Sequence, residues 1–286
     1  MPKVLLEVAA AVYLAAAVVA GLQLVRPRPR GDSLVRGTFL AAILAHAVAL
    51  GGRTVEVHSF PIASAPDALS FFAALVGLTA LVVSFRPKGE GGVPHVATLA
   101  APIVFALMVT AAFFDFPMVQ PLDVGLVVHI VLALFADAAF LVAGLVAVVY
   151  LVQESRLKRK KTGNKAPTAL HDLPPLDVMD RVSVLLFKAG FPMLTIAISM
   201  GLLYNKKVFG EFWTWDPRNV VHLMVWVLYA VMLYARLVTG WHGKKAAFLM
   251  LVGVGAILVG FVGLGLAGGR SHGRALSAAA PLEVVR

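Results

Sequence analysis

The sequence predicts an all-α polytopic membrane protein of about eight transmembrane helices, with both termini on the outer side of the membrane. Three observations predict it. Of 286 residues, 60% are hydrophobic and only 14% charged, and the apolar residues gather into runs of about 20, each able to cross a hydrocarbon core of roughly 30 Å. These runs are continuous rather than alternating, which selects helices over a closed barrel, the other structure that satisfies its backbone polar groups in lipid. Lysine and arginine, finally, collect in alternate loops.

Windows bounded by Pro, Gly and charge place the spans at 4–25, 35–52, 67–85, 95–114, 122–152, 181–204, 217–239 and 246–267. The first is too long for a signal-peptide core and ends in "RPRPR" instead of a small-residue cleavage site, so it reads as a retained span. The second is short and stops before Arg53; the third and fourth are separated by "RPKGE". The fifth is long enough to tilt or to project from the bilayer. A basic stretch, "ESRLKRKKTGNKAPTALHDLPPLDVMDR", leads into the sixth. Asp216 and Pro217 read as the N-cap and first helical residue of the seventh. The eighth follows "GWHGKK".

Placing "RPRPRGDSLVR" in the cytoplasm also puts "RPKGE", the long basic loop and "GWHGKK" there. Together these hold 15 of the 25 cations, from Arg26 to Lys245, whereas the 115–122 loop on the opposite side has none. The net charge of +10 is thereby accounted for by topology. The expected partner of the basic loop is the bilayer surface, and no nucleic acid is expected. The chain contains no cysteine, so it has no thiolate, disulfide or thiol relay of its own.

On this map the histidines divide into two groups. His95, His171 and His242 fall on the inner side; His46, His58, His129, His222 and His272 fall in outer loops or outer halves of spans. His129 and His46 each sit about seven residues, roughly 10 Å, below an outer helix end. Ionisable groups at such depth face a cavity or a partner. His58, His95, His171 and His242 read as interfacial hydrogen-bonding residues. His222, five residues past Pro217, lies at a depth similar to His129, with Asp123 and Asp137 as candidate partners on span five.

The segment "GEFWTWDPRNVVHL" places Trp213, Trp215 and Phe212 in an outer loop beside Glu211, Asp216 and Arg218. Interfacial aromatic residues commonly anchor spans, but belts are scattered and these are clustered. Flat aromatic faces suit a flat apolar ligand, and paired neutral imidazoles suit the axial positions of a haem iron. Retinal, a quinone or an apolar peptide would also rest on tryptophans, without calling for histidines.

"FGEFWTWDP", Phe209 to Pro217, resembles the WWD motif of the CcsA/ResC branch of the cytochrome c assembly superfamily, and the similarity extends through "LPPLDVMDRVSVLLFKAGFPMLT", "WVLYAVMLYARLVTGWHGKKAA" and "SHG", roughly 120 to 274. The resemblance implies haem b as substrate or transported ligand, with His129 and His272 as outer axial ligands and Trp213, Trp215 and Asp216 lining the haem surface. It implies a second haem site at His46, a second membrane subunit of the CcsB/ResB type, and an apocytochrome c carrying Cys-x-x-Cys-His. It also implies a domain plan: four N-terminal spans in 1–120, an assembly core with the WWD loop in 121–274, and an outer tail in 275–286. The chain departs from the family pattern in three places. Phe209 stands for the first tryptophan, "RNVVHL" for a more usual "KETWAL", and Tyr234 for a transmembrane histidine. Tyr234 is expected to be packed and hydrogen-bonded, and His222 to line the outer cavity or supply a ligand.

The expected function is thus the haem-handling subunit of a system II cytochrome c synthase, a holocytochrome c synthase (haem lyase) component in a bacterial-type cytoplasmic membrane with its platform on the outer face. The alternatives are a HemX-like regulator of haem biosynthesis and a CcmC-like haem transfer protein.

Overall fold

The computed structural model describes residues 2–28, 30–87, 92–114, 122–161, 173–215, 217–241 and 243–259. Its elements are α1 (Pro2–Val25), α2 (Gly31–Val57), α3 (Ala65–Phe85), α4 (His95–Ala112), α5 (Val124–Lys161), α6 (Leu176–Phe209), α7 (Pro217–Val238) and α8 (Lys244–Leu258). Among the described residues there is no strand. The seven helices α1 to α7 are long and apolar enough to cross a membrane. The described part of α8 has 15 residues, and the rest of the expected eighth span, to 267, lies outside the described residues.

Three helices run further than the apolar windows, and in each case charge is accommodated rather than excluded. On α2, Arg53 continues the helix into the interior because Asp67 of α3 meets it at both ends of the guanidinium, Nε to Oδ1 at 3.0 Å and Nη2 to Oδ2 at 3.2 Å. Glu56, one turn on, takes Nη1 at 2.8 Å. Asp67 is itself fixed by Ser64, the N-cap of α3, whose hydroxyl accepts the Asp67 N–H and donates to Oδ2. Helix α5 runs 38 residues, about 57 Å at 1.5 Å per residue, and its projecting end carries a Lys158–Glu154 pair one turn apart. The first turn of α6 carries Asp177, which pairs with Arg181, and its last turn carries Lys206 and Lys207; both ends complement the helix dipole.

The helices α1 to α4 pack on one another, α5 to α8 do likewise, and α5 touches α3 and α4. In the first group α1 buries Ala9, Tyr13, Ala16 and Ala20 on a single face. Small residues at this spacing let helix backbones approach closely, the main source of packing energy when lipid and side chain are equally apolar. In the second group the interior is aromatic. Tyr229 of α7 lies 4.1 Å from Phe140 of α5 and 5.0 Å from Phe187 of α6, ring centre to ring centre. Trp226 stacks on Phe191 and donates its Nε1–H to Thr195 at 2.9 Å.

Candidate functional site

His129 lies five residues from the start of α5, about 7.5 Å along the axis. Its Nδ1 is 2.7 Å from the carbonyl oxygen of Ala197 on α6. A carbonyl only accepts, so Nδ1 carries the hydrogen, and the neutral ring keeps a lone pair on Nε2. One turn further along α6, Gly201 makes room for the ring: a Cβ there would stand 2.9 Å from His129 Cε1. Helix α6 thus supplies both the acceptor and the seat.

His222 lies on the second turn of α7. Its Nε2 is 3.8 Å from Oδ2 of Asp137, whose side chain is 1% exposed. Of the two acidic candidates, Asp137 is therefore the partner. Asp123 instead accepts the N–H of Gly125 at 2.9 Å, at the start of α5.

The tryptophan loop leaves α6 at the end nearest His129, since Ala197 and Gly201 both precede it by a few turns. Gly210 turns the chain with φ +77°, a left-handed conformation that glycine adopts without a Cβ penalty. Lys206 reaches over this turn, donating to the Gly210 carbonyl at 2.7 Å and lying over the Phe212 ring. Asn219 of α7 ties the far side down through the Thr214 hydroxyl at 2.8 Å. Trp213 and Trp215 meet edge to face, centroids 5.9 Å apart and planes at 85°. They do not form one continuous plane: Trp215, 83% exposed, offers the open face, while Trp213 is half-buried and its Nε1–H is enclosed without a hydrogen-bond partner among the described residues.

His46 occupies a different place, fully buried within the first four helices. Its Nδ1 lies 3.4 Å from the Tyr13 hydroxyl and its Nε2 2.9 Å from Ser70 Oγ, which in turn faces Met108 Sδ at 4.0 Å. Both ring nitrogens are engaged, so iron at His46 requires one of these contacts to be released. Of the histidines expected to be interfacial, His58 is the exposed left-handed C-cap of α2, and His95 is buried at the start of α4 with Nε2 3.9 Å from Asp32. Asp216, His272, His171 and His242 lie outside the described residues. One expectation is corrected. Tyr234 is 63% exposed rather than packed, because it stands about 140° round α7 from the buried Tyr229, five residues earlier.

The fold and the site define a multi-pass helical membrane protein with two histidines, His129 and His222, toward one end of its α5–α7 bundle, at the end where an exposed aromatic loop joins α6 to α7. Residues 38–270 match the family model for the cytochrome c assembly protein, and the chain belongs to that family. It is similar to the cytochrome c biogenesis protein CcsA of Synechococcus elongatus, 28% identical over 81% of this chain and 84% of that protein. It is likewise similar to CcsA of Thermosynechococcus vestitus, 29% identical over 78% of this chain and 81% of that protein. In fold it resembles the solved cytochrome c haem lyase CcmF, with a TM-score of 0.64, 19% identity and 99% of this chain covered; it spans 52% of that chain.

Proposed function

We propose that this protein is the haem-handling subunit of a system II cytochrome c synthase, holding haem b at the outer membrane face while an apocytochrome Cys-x-x-Cys-His segment is joined to it. The observation that carries the reading is the tautomer of His129: Nδ1 is committed to the Ala197 carbonyl, so Nε2 is the free donor that an axial iron ligand needs. The Trp loop supplies what a porphyrin edge and face require, an enclosed indole N–H able to meet a propionate and an open aromatic surface. Family membership and the similarity to CcsA proteins support the same assignment.

In this reading His129 and His272 hold the iron from opposite sides, and Trp213, Trp215 and Asp216 shape the surface. Residues 1–120 form a supporting membrane unit, 121–274 the assembly core and 275–286 an outer tail. Both termini lie outside the cytoplasmic membrane, and a CcsB/ResB-type subunit completes the assembly. The reaction is chiefly one of positioning: haem is fixed until the apocytochrome histidine replaces one axial ligand. His46, with its nitrogens tied to Tyr13 and Ser70, is the place for a second haem once one tie opens. An optical spectrum of the detergent-purified protein, oxidised and reduced, tests the reading; a six-coordinate low-spin haem lost in His129→Ala is expected, and a haem-free wild-type protein purified from haem-replete cells rejects it.

A further inference from the structure

Lys188 stands on the outward side of α6, at a depth that two helix contacts fix independently. Its neighbour Phe187 packs against Tyr229 of α7, 5.0 Å between ring centres, and Tyr229 is seven residues, roughly 10 Å, from Arg236, where the apolar stretch of α7 ends. Along α6 itself, Asp180, which pairs with that same Arg236, lies eight residues or roughly 12 Å away. In the other direction, 17 residues without a charge separate Lys188 from Lys206. Lys188 is therefore inside the hydrocarbon region, and its four-carbon stem covers only about half of the way out. It is exposed on the surface of the bundle, and among the described residues it has no anionic partner. Pro192, one turn on, brings no N–H for the Lys188 carbonyl. An ammonium and a main-chain acceptor thus open at one level onto a surface where lipid tails satisfy neither.

We propose that this face of α6 is the docking surface for the second membrane subunit, through a membrane helix that carries an aspartate or glutamate at the level of Lys188. This rests on the two-subunit reading above, but not on where haem is held. The face is a strip: Leu185, Lys188, Pro192, Ile196, Ser199 and Leu203 are all exposed, three or four residues apart, the spacing at which one helix lies along another. Charge decides the occupant. A second copy of this chain, inserted in the same sense, has no carboxylate to offer at this depth among the described residues. Asp67 and Asp137 are buried, 2% and 1% exposed, and Asp67 is held by Arg53. Glu7 is exposed, but it lies near the start of α1, which the alternation of the helices puts on the side of the tryptophan loop, away from the Arg236 end. A carboxylate on a different chain answers the ammonium, and because either charge alone is costly in lipid, the pair also fixes the register of the two helices.

The test is co-purification of the full chain with its partner subunit in mild detergent, with a hydrophobic carbodiimide, which joins an amine to a carboxylate in contact, as the probe. Mass spectrometry is expected to find Lys188 joined to an aspartate or glutamate in a membrane helix of the partner. Lys188→Leu should accumulate normally and lower the co-purified partner about tenfold or more, whereas Lys188→Arg should keep the complex and lose the cross-link. Ile196→Trp, on the same strip, should also release the partner, while Val48→Trp on the exposed side of α2 should not. A wild-type amount of partner with Lys188→Leu, or an intact complex with no cross-link at Lys188, overturns the proposal and leaves the lysine as a tether for lipid phosphate. A cross-link to a second copy of this chain overturns it too, making the strip a face between like subunits. Should Lys188→Leu fail to accumulate, Ile196→Trp and the cross-link decide. A complex in which Lys188 is joined to the partner but haem is missing rejects the haem-holding reading alone.

Discussion

At the scale of single residues, the depth of His129 was legible from its distance to the helix start, but its tautomer was not. That depends on a carbonyl of α6, 68 residues away, and no sequence pattern records which backbone oxygen a side chain will face. Asp137 was visible as an acid in an apolar span, yet its pairing with His222 depends on how α5 and α7 are set against each other. Tyr234 was misjudged for the same reason: helical angle assigns residues to faces, but packing decides which face is buried. His129→Ala should reduce haem retention at least about tenfold, the lower range for disturbing a metal site, with maturation partly restored by added imidazole; an unchanged absorption spectrum would count against the ligand assignment. The two tryptophans should separate. Trp215→Phe keeps an apolar anchor but loses aromatic face and should impair maturation at normal protein abundance. Trp213→Phe removes the enclosed N–H and should weaken haem binding by about 1–3 kcal/mol, the cost of an unmet buried polar partner. Full activity of the double variant would mean that the pair serves only as a membrane anchor.

At the scale of elements, the apolar windows found every helix among the described residues and misplaced those ends where charged residues are accommodated. The second span was expected to stop at 52 because Arg53 follows; α2 runs to Val57 because Asp67, itself capped by Ser64, neutralises that arginine. The signal was present as Ser64 three residues before Asp67, although nothing local linked it to residue 53. Arg53→Leu leaves Asp67 buried and unpaired and should destabilise the folded protein by about 3–5 kcal/mol, whereas a joint Arg53→Leu and Asp67→Leu replacement should recover most of that loss. Thermal melting in detergent distinguishes the two outcomes. A single cost for both variants would show that the pair is not the source of the stability.

At the scale of the molecule, the eight helices among the described residues, and the membrane-spanning length of seven of them, followed from composition and run length. The division into α1–α4 and α5–α8, with α5 meeting both, depends on tertiary packing and had no counterpart in hydropathy. Which side each end faces is a proposal drawn from the sorting of cations. The absence of cysteine makes that proposal simple to test. A thiol introduced by Ser155→Cys, on the projecting end of α5, should react with a membrane-impermeant reagent only after the cells are opened, and one introduced by Ser277→Cys should react in intact cells. Reaction of the Ser155 variant in intact cells inverts the topology and places the tryptophan loop in the cytoplasm.

The contact between His129 and Ala197 has a consequence for how this site tolerates change. The acceptor is a main-chain oxygen, which every amino acid provides, so side-chain drift at 197 leaves the instruction to the imidazole unaltered. Gly201 is different, since any added carbon enters the volume of the ring. Close to the same histidine, then, one position is free to vary in chemistry and another is confined by shape. A collection of functional variants should show this as permissive substitution at 197, within the limits of its packing, and as near-exclusive glycine at 201.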